Sequence, residues 1–280
     1  MAYKDILLHL DRSASCADRT ALALALAGAQ DAHLTGLFTA VAPQWPAEVY
    51  THLSVDLLEQ QRQESVESGQ AVVQDFTQQA LDAGLSAEGR VETTLEVDLA
   101  GTLARHGRSA DLLVIGQAEP DDPLSNSPQL VEAVIMAAGC PTLMVPYVGC
   151  SAEAGKRIMV AWDGGREAAR AIHDALPLLT KAETVMVLTV DPKHKANQLG
   201  EEPGADVALH LARHGCRVEL QSAVSGSVGI GDTILSRLAD QGVDLLVMGA
   251  YGHSRLRELV LGGATRHILA HMTVPVLMSH

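Results

Sequence analysis

Aromatic side chains are scarce. Two Trp, four Tyr and two Phe make up 3% of the 280 residues. A core that lacks them has to be aliphatic, built from Ala, Val, Leu and Ile, and hydrophobic residues do reach 47%. No apolar run approaches the roughly 20 residues of a membrane-spanning helix, which argues against a membrane protein. Cysteine is sparse: Cys16, Cys140, Cys150 and Cys216 are scattered with no CxxC pair. Free thiols in a reducing cytoplasm are the expectation. Positive charge is also short. Twenty Lys and Arg stand against 34 Asp and Glu, a net charge of −14, which argues against binding a nucleic-acid backbone. There is no HExxH, no GxSxG with its triad and no Walker A lysine. Met1-Ala-Tyr-Lys-Asp5 enters a strand directly, with no signal peptide, again pointing to the cytoplasm.

What is present is a repeat of strands and helices. Asp5–Asp11 reads as a short buried strand ending in an acid, followed by an Ala- and Leu-rich helix over Ser13–Ala29 that Ser or Asp is placed to cap. Strands follow at His33–Ala42, Ala87–Thr94, Asp111–Gly116 and Pro141–Pro146. Helices fall at Val55–Ala83, Leu99–His106 and Gln129–Ala138. The second half repeats the order, with strands at Arg157–Asp163, Thr184–Val190, Arg217–Val224, Asp244–Met248 and Val274–Met278. Asp11 corresponds to Asp163, and Asp111-Leu-Leu-Val-Ile-Gly to Asp244-Leu-Leu-Val-Met-Gly. The first spacing exceeds the second by 19 residues, which places an extension at Pro43–Arg62. Alternating strands and helices predict parallel sheets covered on both faces, with right-handed crossovers. The small, polar stretch Gly149–Gly155 divides the chain into domains 1–150 and 151–280. Charge is shared unevenly: residues 1–150 carry −13 and residues 151–280 carry −1. An anionic ligand is better tolerated in the second half.

The most informative stretch is Asp244–Arg266. A strand runs into Gly249; Gly252 follows, then Gly262, Gly263 and Thr265 at a helix start. Glycines let backbone N–H groups approach an anion, and a helix N-terminus supplies unpaired donors. The strand order, the Asp after the first strand, the pattern Gly249-x2-Gly252-x9-Gly262 and the closing Val-Pro-Val-Leu strand together resemble the universal stress protein family, over the whole chain as two tandem domains. The resemblance implies α/β domains, each an open five-stranded parallel sheet of order 3-2-1-4-5 with helices on both faces. It implies that the two halves pair through their last strands as an internal pseudo-dimer, and leaves open a further homodimer. It also implies adenine-nucleotide binding: Asp163 on the base or ribose side, the backbone near Val190 on adenine, Gly249 and Gly252 admitting ribose and phosphates, and Gly262, Gly263 and Thr265 holding phosphate oxygens. One departure stands out. The family's ATP-binding pattern has Ser or Thr after the third glycine, and here that residue is Gly263; Arg255, Arg257 and Arg266 could compensate with charge.

The corresponding first-half stretch looks broken. Glu119 stands at the position of Gly252, Pro128 and Gln129 fall near Gly262 and Gly263, and Asp121 and Asp122 add charge that repels phosphate. No ATP is expected there. The histidine pairs His210/His214 and His267/His271 have the i, i+4 spacing that can hold a metal, but no nearby Cys or carboxylate completes either set. They are read as surface pairs, with no metal expected. Trp45 and Tyr50, in the extension, are read as docking on their own domain. No residue is placed as a general base for phosphoryl transfer. The reading is therefore a cytoplasmic stress-response or regulatory module binding ATP in the second domain only, with a role for Mg left open, rather than a fast enzyme; slow ATP hydrolysis also stays open. Two alternatives stay open: an interaction protein with both clefts vestigial, and a small-molecule or metal sensor.

Overall fold

The structure is a computed structural model and describes residues 2–42, 54–191, 202–251 and 263–280. Among these residues ten strands form one sheet. They are β1 (Asp5–Leu10), β2 (His33–Ala42), β3 (Ala87–Leu95), β4 (Leu112–Gly116), β5 (Thr142–Val145), β6 (Arg157–Ala161), β7 (Thr184–Val190), β8 (Val218–Ala223), β9 (Leu245–Gly249) and β10 (Val276–Ser279). The order across the sheet is β3-β2-β1-β4-β5-β10-β9-β6-β7-β8. Each set of five has the expected 3-2-1-4-5 order and is parallel throughout. The two sets meet where β5 and β10 pair antiparallel, Leu143 opposite Leu277.

Eight described helices cover the sheet: α1 (Cys16–Gln30), α2 (Val55–Asp82), α3 (Leu99–Gly107), α4 (Pro128–Ala137), α5 (Arg166–Leu179), α6 (Ala205–Arg213), α7 (Ile230–Asp240) and α8 (Gly263–His271). The central strands explain the layering. β4 and β5 are buried along their whole length, so they carry apolar residues on both faces rather than alternating. Neighbouring residues on a strand then feed opposite layers. Leu8 joins a core with Leu22 of α1, Phe76 of α2, Ile172 of α5 and Leu211 of α6. Leu7 joins one with Leu103 of α3, Val131 of α4, Ile234 of α7 and Ile268 of α8. Both cores run unbroken from the first five strands into the second.

Side chains tie the halves together. The Tyr3 hydroxyl donates to the Asp174 carbonyl at 2.7 Å, and Gln117 Nε2 donates to the Leu269 carbonyl at 2.9 Å. Lys181 Nζ donates to the Ala29 carbonyl at 2.6 Å. Arg266 makes two contacts to Glu132, at 2.8 and 3.2 Å.

The sequence expectation for the start of α1 needs correcting. Its N-cap, Ser15, makes no side-chain cap bond. The upstream Ser13 hydroxyl is drawn instead to Asp11 Oδ1, at 2.5 Å, because that carboxylate sits where strand and helix meet. Trp45 and Tyr50 lie outside the described residues. The end of the Pro43–Arg62 extension is the start of α2, where Ser54 Oγ accepts from the Leu57 N–H at 3.2 Å.

Candidate functional site

Strands β7, β6 and β9 lie side by side and run in one direction. Their C-terminal ends bring Val190, Asp163 and Gly249 to one rim of the sheet. In an open parallel sheet the crevice forms there, where the strand order reverses between β6 and β9. Helix α8 starts at Gly263 and leads back into β10, which is parallel to β9, so its N-terminus lies at the same rim. Thr265, in its first turn, is buried. Of the residues picked from sequence, Asp163, Val190, Gly249, Gly263 and Thr265 therefore share one end of the sheet, while Gly252 and Gly262 lie outside the described residues, as do Arg255 and Arg257.

Local chemistry refines several of these roles. Asp163 Oδ1 accepts the Gly165 N–H at 2.8 Å, where α5 begins and helix donors lack partners. The carboxylate thus complements a helix N-terminus. Gly249 has a neighbour that its sequence did not reveal. A Cβ there would stand 2.4 Å from the Ala168 amide nitrogen and 2.6 Å from the Glu167 carbonyl carbon. The missing side chain lets α5 sit directly on β9, so this glycine is required by packing whatever else it admits. Among the described residues nothing lies within 4 Å of a Cβ added at Gly263. Arg266, offered as compensating charge, is engaged by Glu132.

Two features at this rim went unnoticed in the sequence. Tyr251 has φ 59°, in the left-handed region that costs a non-glycine residue roughly 1 kcal/mol or more. Its phenol oxygen is buried and has no hydrogen-bond partner among the described residues, and burial raises its pKa, with Glu132 adding to the effect and Arg266 opposing it. The second feature is Asp191, φ 51°, directly after Val190. It accepts from the Ser225 N–H at 2.9 Å and from the Ser225 hydroxyl.

The equivalent rim of the first five strands is filled by the protein itself. Arg19 of α1 is 1% exposed and its Nη2 lies 2.7 Å from Asp11 Oδ2. The two meet as charges, without the angles of a hydrogen bond. Arg19 Nε donates to the His9 carbonyl at 3.0 Å. Gly116, the counterpart of Gly249, makes room for this guanidinium: a Cβ there would stand 2.0 Å from Arg19 Nη1. Asn126 Nδ2 donates to the Gly116 carbonyl at 2.9 Å, and Asp122 Oδ2 accepts from the Ala14 N–H at 3.3 Å. Burial pushes Asp11 up, but Arg19, His9 and the Ser13 hydrogen bonds outweigh it and hold the carboxyl below its ordinary value. Burial pushes His9 down to about 4, Asp11 and Arg19 acting in opposite senses upon it. The acidic loop was legible as a defect, but the buried arginine was not foreseen. Its signal was its place on the apolar stripe of α1, in register with Leu22, Ala23, Leu26 and Ala27.

Residues 155–280 match the model of the Universal stress protein family. The match covers a little under half of the chain. The matched residues hold β6 to β10 and all the candidate site positions. A universal stress protein of Synechocystis is 37% identical over 67 residues, 24% of this chain and 22% of that protein. One of Methanocaldococcus jannaschii is 36% identical over 52 residues, 18% of this chain and 32% of that protein. The chain thus spans between a fifth and a third of the length of these curated relatives. The solved structure of a universal stress protein from Archaeoglobus fulgidus is similar over 98% of this chain and 95% of its own, with a TM-score of 0.75 and 16% identity. That likeness extends the universal stress protein fold to the first five strands. No described helix is long and apolar enough to cross a membrane, and no group of three or more His, Cys, Asp or Glu among the described residues is arranged to hold a metal ion.

Proposed function

We propose that this universal stress protein is a cytoplasmic stress-response or regulatory module that binds ATP, with Mg, in domain 151–280 and not in domain 1–150. The two domains form an internal pseudo-dimer through the β5–β10 pairing. The observation that carries the reading is the divergence of two equivalent rims. In one, Arg19 and the 119–126 loop fill the position beside Gly116. In the other, the G-x2-G-x9-G pattern persists, and Asp163, Gly249, Gly263 and Thr265 lie at one end of the sheet. A helix start with an open backbone at Gly263 suits a phosphate. The near-neutral charge of the second half lowers the electrostatic cost of an anion relative to the first.

The protein purified without denaturation is expected to carry adenine nucleotide, detectable by mass spectrometry and absorbance, or to gain thermal stability with Mg-ATP through mass action. Gly252→Leu abolishes the thermal shift, whereas Glu119→Leu, at the equivalent first-half position, leaves it. Absence of both co-purified nucleotide and a shift at saturating Mg-ATP refutes the proposal; a shift lost in Glu119→Leu instead moves the site to the first half.

A further inference from the structure

One margin of the sheet is β8, and no described strand pairs with its outer edge. A strand residue sends its N–H and C=O to one side, and the side alternates along the chain. The Arg217 carbonyl accepts from the Val185 N–H at 2.8 Å, and the Ala223 carbonyl accepts from the Asp191 N–H at 2.9 Å. Odd-numbered residues of β8 therefore bond to β7. Val218, Leu220 and Ser222 turn their backbone donors and acceptors outward, beyond the sheet. Natural edges are blunted by lysine, proline or other charge. β8 has neither Lys nor Pro, and Glu219 is its one charged residue.

Apolar side chains are exposed at this margin. A Cβ at Gly204 would stand 2.8 Å from Leu220 Cδ1, and 3.3 and 3.4 Å from Thr189 and Val187 of β7. The start of α6 thus lies over β7 and β8, and Leu220 is on the α6 face of the sheet. Leu220 is 43% exposed there, and Val224, on the same face just past the strand, is 81% exposed. Helix α6 carries two apolar stripes. Val207 and Leu211 pack into the core. Ala205, Leu209 and Ala212, at i, i+4 and i+7, form the second. His210 meets His173 of α5, their ring centres 5.2 Å apart. The second stripe lies on the flank away from α5, toward the margin, with Leu209 51% exposed.

We infer that the β8 margin is an interface with a second copy of this chain, the two β8 strands pairing antiparallel about Leu220. That register sets Leu220 opposite itself and Val218 opposite Ser222, so every outward backbone group of these residues exchanges hydrogen bonds. On the α7 face, where Ala223 joins the core, Glu219 stands opposite Gln221, whose amide donates to the carboxylate. On the α6 face Leu220 meets its copy. Each α6 sits about half a strand spacing inside its own β8, so the two helices come about 10 Å apart. Helices pack at that spacing, and Ala205 and Ala212 are small enough to let them close. Charge favours a second copy at this margin over the opposite one. The half that bears β8 carries −1, whereas the half that bears β3 carries −13, so two copies meet at β8 with little net repulsion. β3 is also guarded by Glu88, Arg90 and Glu92, which pair with one another or with Arg105 and His106. A two-fold pairing closes on itself and gives a dimer, not a filament.

The test follows the full chain by sedimentation equilibrium across a dilution series, and a monomer–dimer equilibrium is expected. Leu220→Lys and Leu209→Lys are each expected to weaken association about tenfold or more. Thr93→Lys, on the exposed β3 margin, leaves it unchanged. Facing residues of a hydrogen-bonded antiparallel pair have Cα atoms about 5.5 Å apart, within reach of a disulfide. Oxidation with diamide is therefore expected to link Leu220→Cys into a covalent dimer, whereas Ser222→Cys, and the unaltered chain with its own four cysteines, run as monomers on a denaturing gel. Circular dichroism checks the fold of each variant; Leu209, on a separate element, supplies a readout even if Leu220→Lys is unstable. A chain that stays monomeric at every concentration overturns the proposal. So does association undiminished in both lysine variants or lost instead in Thr93→Lys, and so does cross-linking of Ser222→Cys but not of Leu220→Cys.

Discussion

At the scale of single residues, Arg19 and Asp11 set the strongest expectation. A buried pair is a poor source of net stability, but removing one partner strands the other charge at a cost of roughly 3–5 kcal/mol. Arg19→Met is therefore expected to lower the unfolding free energy, measured by denaturant titration, by an amount in that range, and Arg19→Met with Asp11→Asn to regain most of it. A neutral single variant would refute the pairing. His9 adds a pH dependence. Its pKa falls from 6.5 to about 4 on folding, so between those values the unfolded chain binds more protons and stability declines as the solution is acidified. The decline begins below pH 6.5 and levels off near 4, amounting to roughly 3 kcal/mol in full. Asp11, held below its ordinary value, adds a further loss only at still lower pH. His9→Gln is expected to flatten the upper part of the curve, measured by denaturation across that range; an unchanged slope would contradict it. Periodicity made Arg19 visible as a cation on an apolar stripe. It could not make Asp11 its partner, since that contact depends on how α1 crosses the end of β1.

At the scale of elements, the two equivalent glycines serve different packing needs. Gly249→Ala pushes a methyl into the α5 backbone, which has no room to yield. Overpacking of this kind costs about 1–3 kcal/mol and should appear as a lower melting temperature even without ligand. Gly263 is the contrast. Among the described residues nothing lies within 4 Å of a Cβ there, and under the proposed function Gly263→Ser restores the hydroxyl missing from the phosphate pattern. One added hydrogen bond is worth about 0.5–1.5 kcal/mol, which predicts ATP binding tighter by a few-fold up to about tenfold; calorimetry with Mg-ATP measures it, and weaker binding would contradict the assignment. Every described strand and α-helix was legible, because apolar runs such as Leu112–Ile115 and Leu245–Met248 and the stripe of α1 have unambiguous periods. The tight approach of α5 to β9 was not, since a glycine at a strand end reads equally as a turn, a ligand contact or a packing requirement.

At the scale of the molecule, both apolar layers cross from the first five strands to the second without a break. Separating the halves would expose β5 and β10, each buried along its length. The chain is expected to unfold in one calorimetric transition, with van't Hoff and calorimetric enthalpies agreeing; two resolved transitions would show that the shared cores do not couple the halves. The duplicated sequence order made the two halves legible, and the resemblance to a known family supplied their strand order. Contacts such as Gln117 to Leu269 were not, because a side chain reaching a distant carbonyl leaves no periodic trace. The antiparallel β5–β10 pairing has one more consequence. Strands of the two halves point in opposite directions, so their C-terminal ends lie on opposite margins of the molecule. The Arg19-filled rim and the Gly249 rim therefore face away from each other. No single small ligand can bridge them, and a partner reading one is blind to the other unless it wraps around the whole sheet.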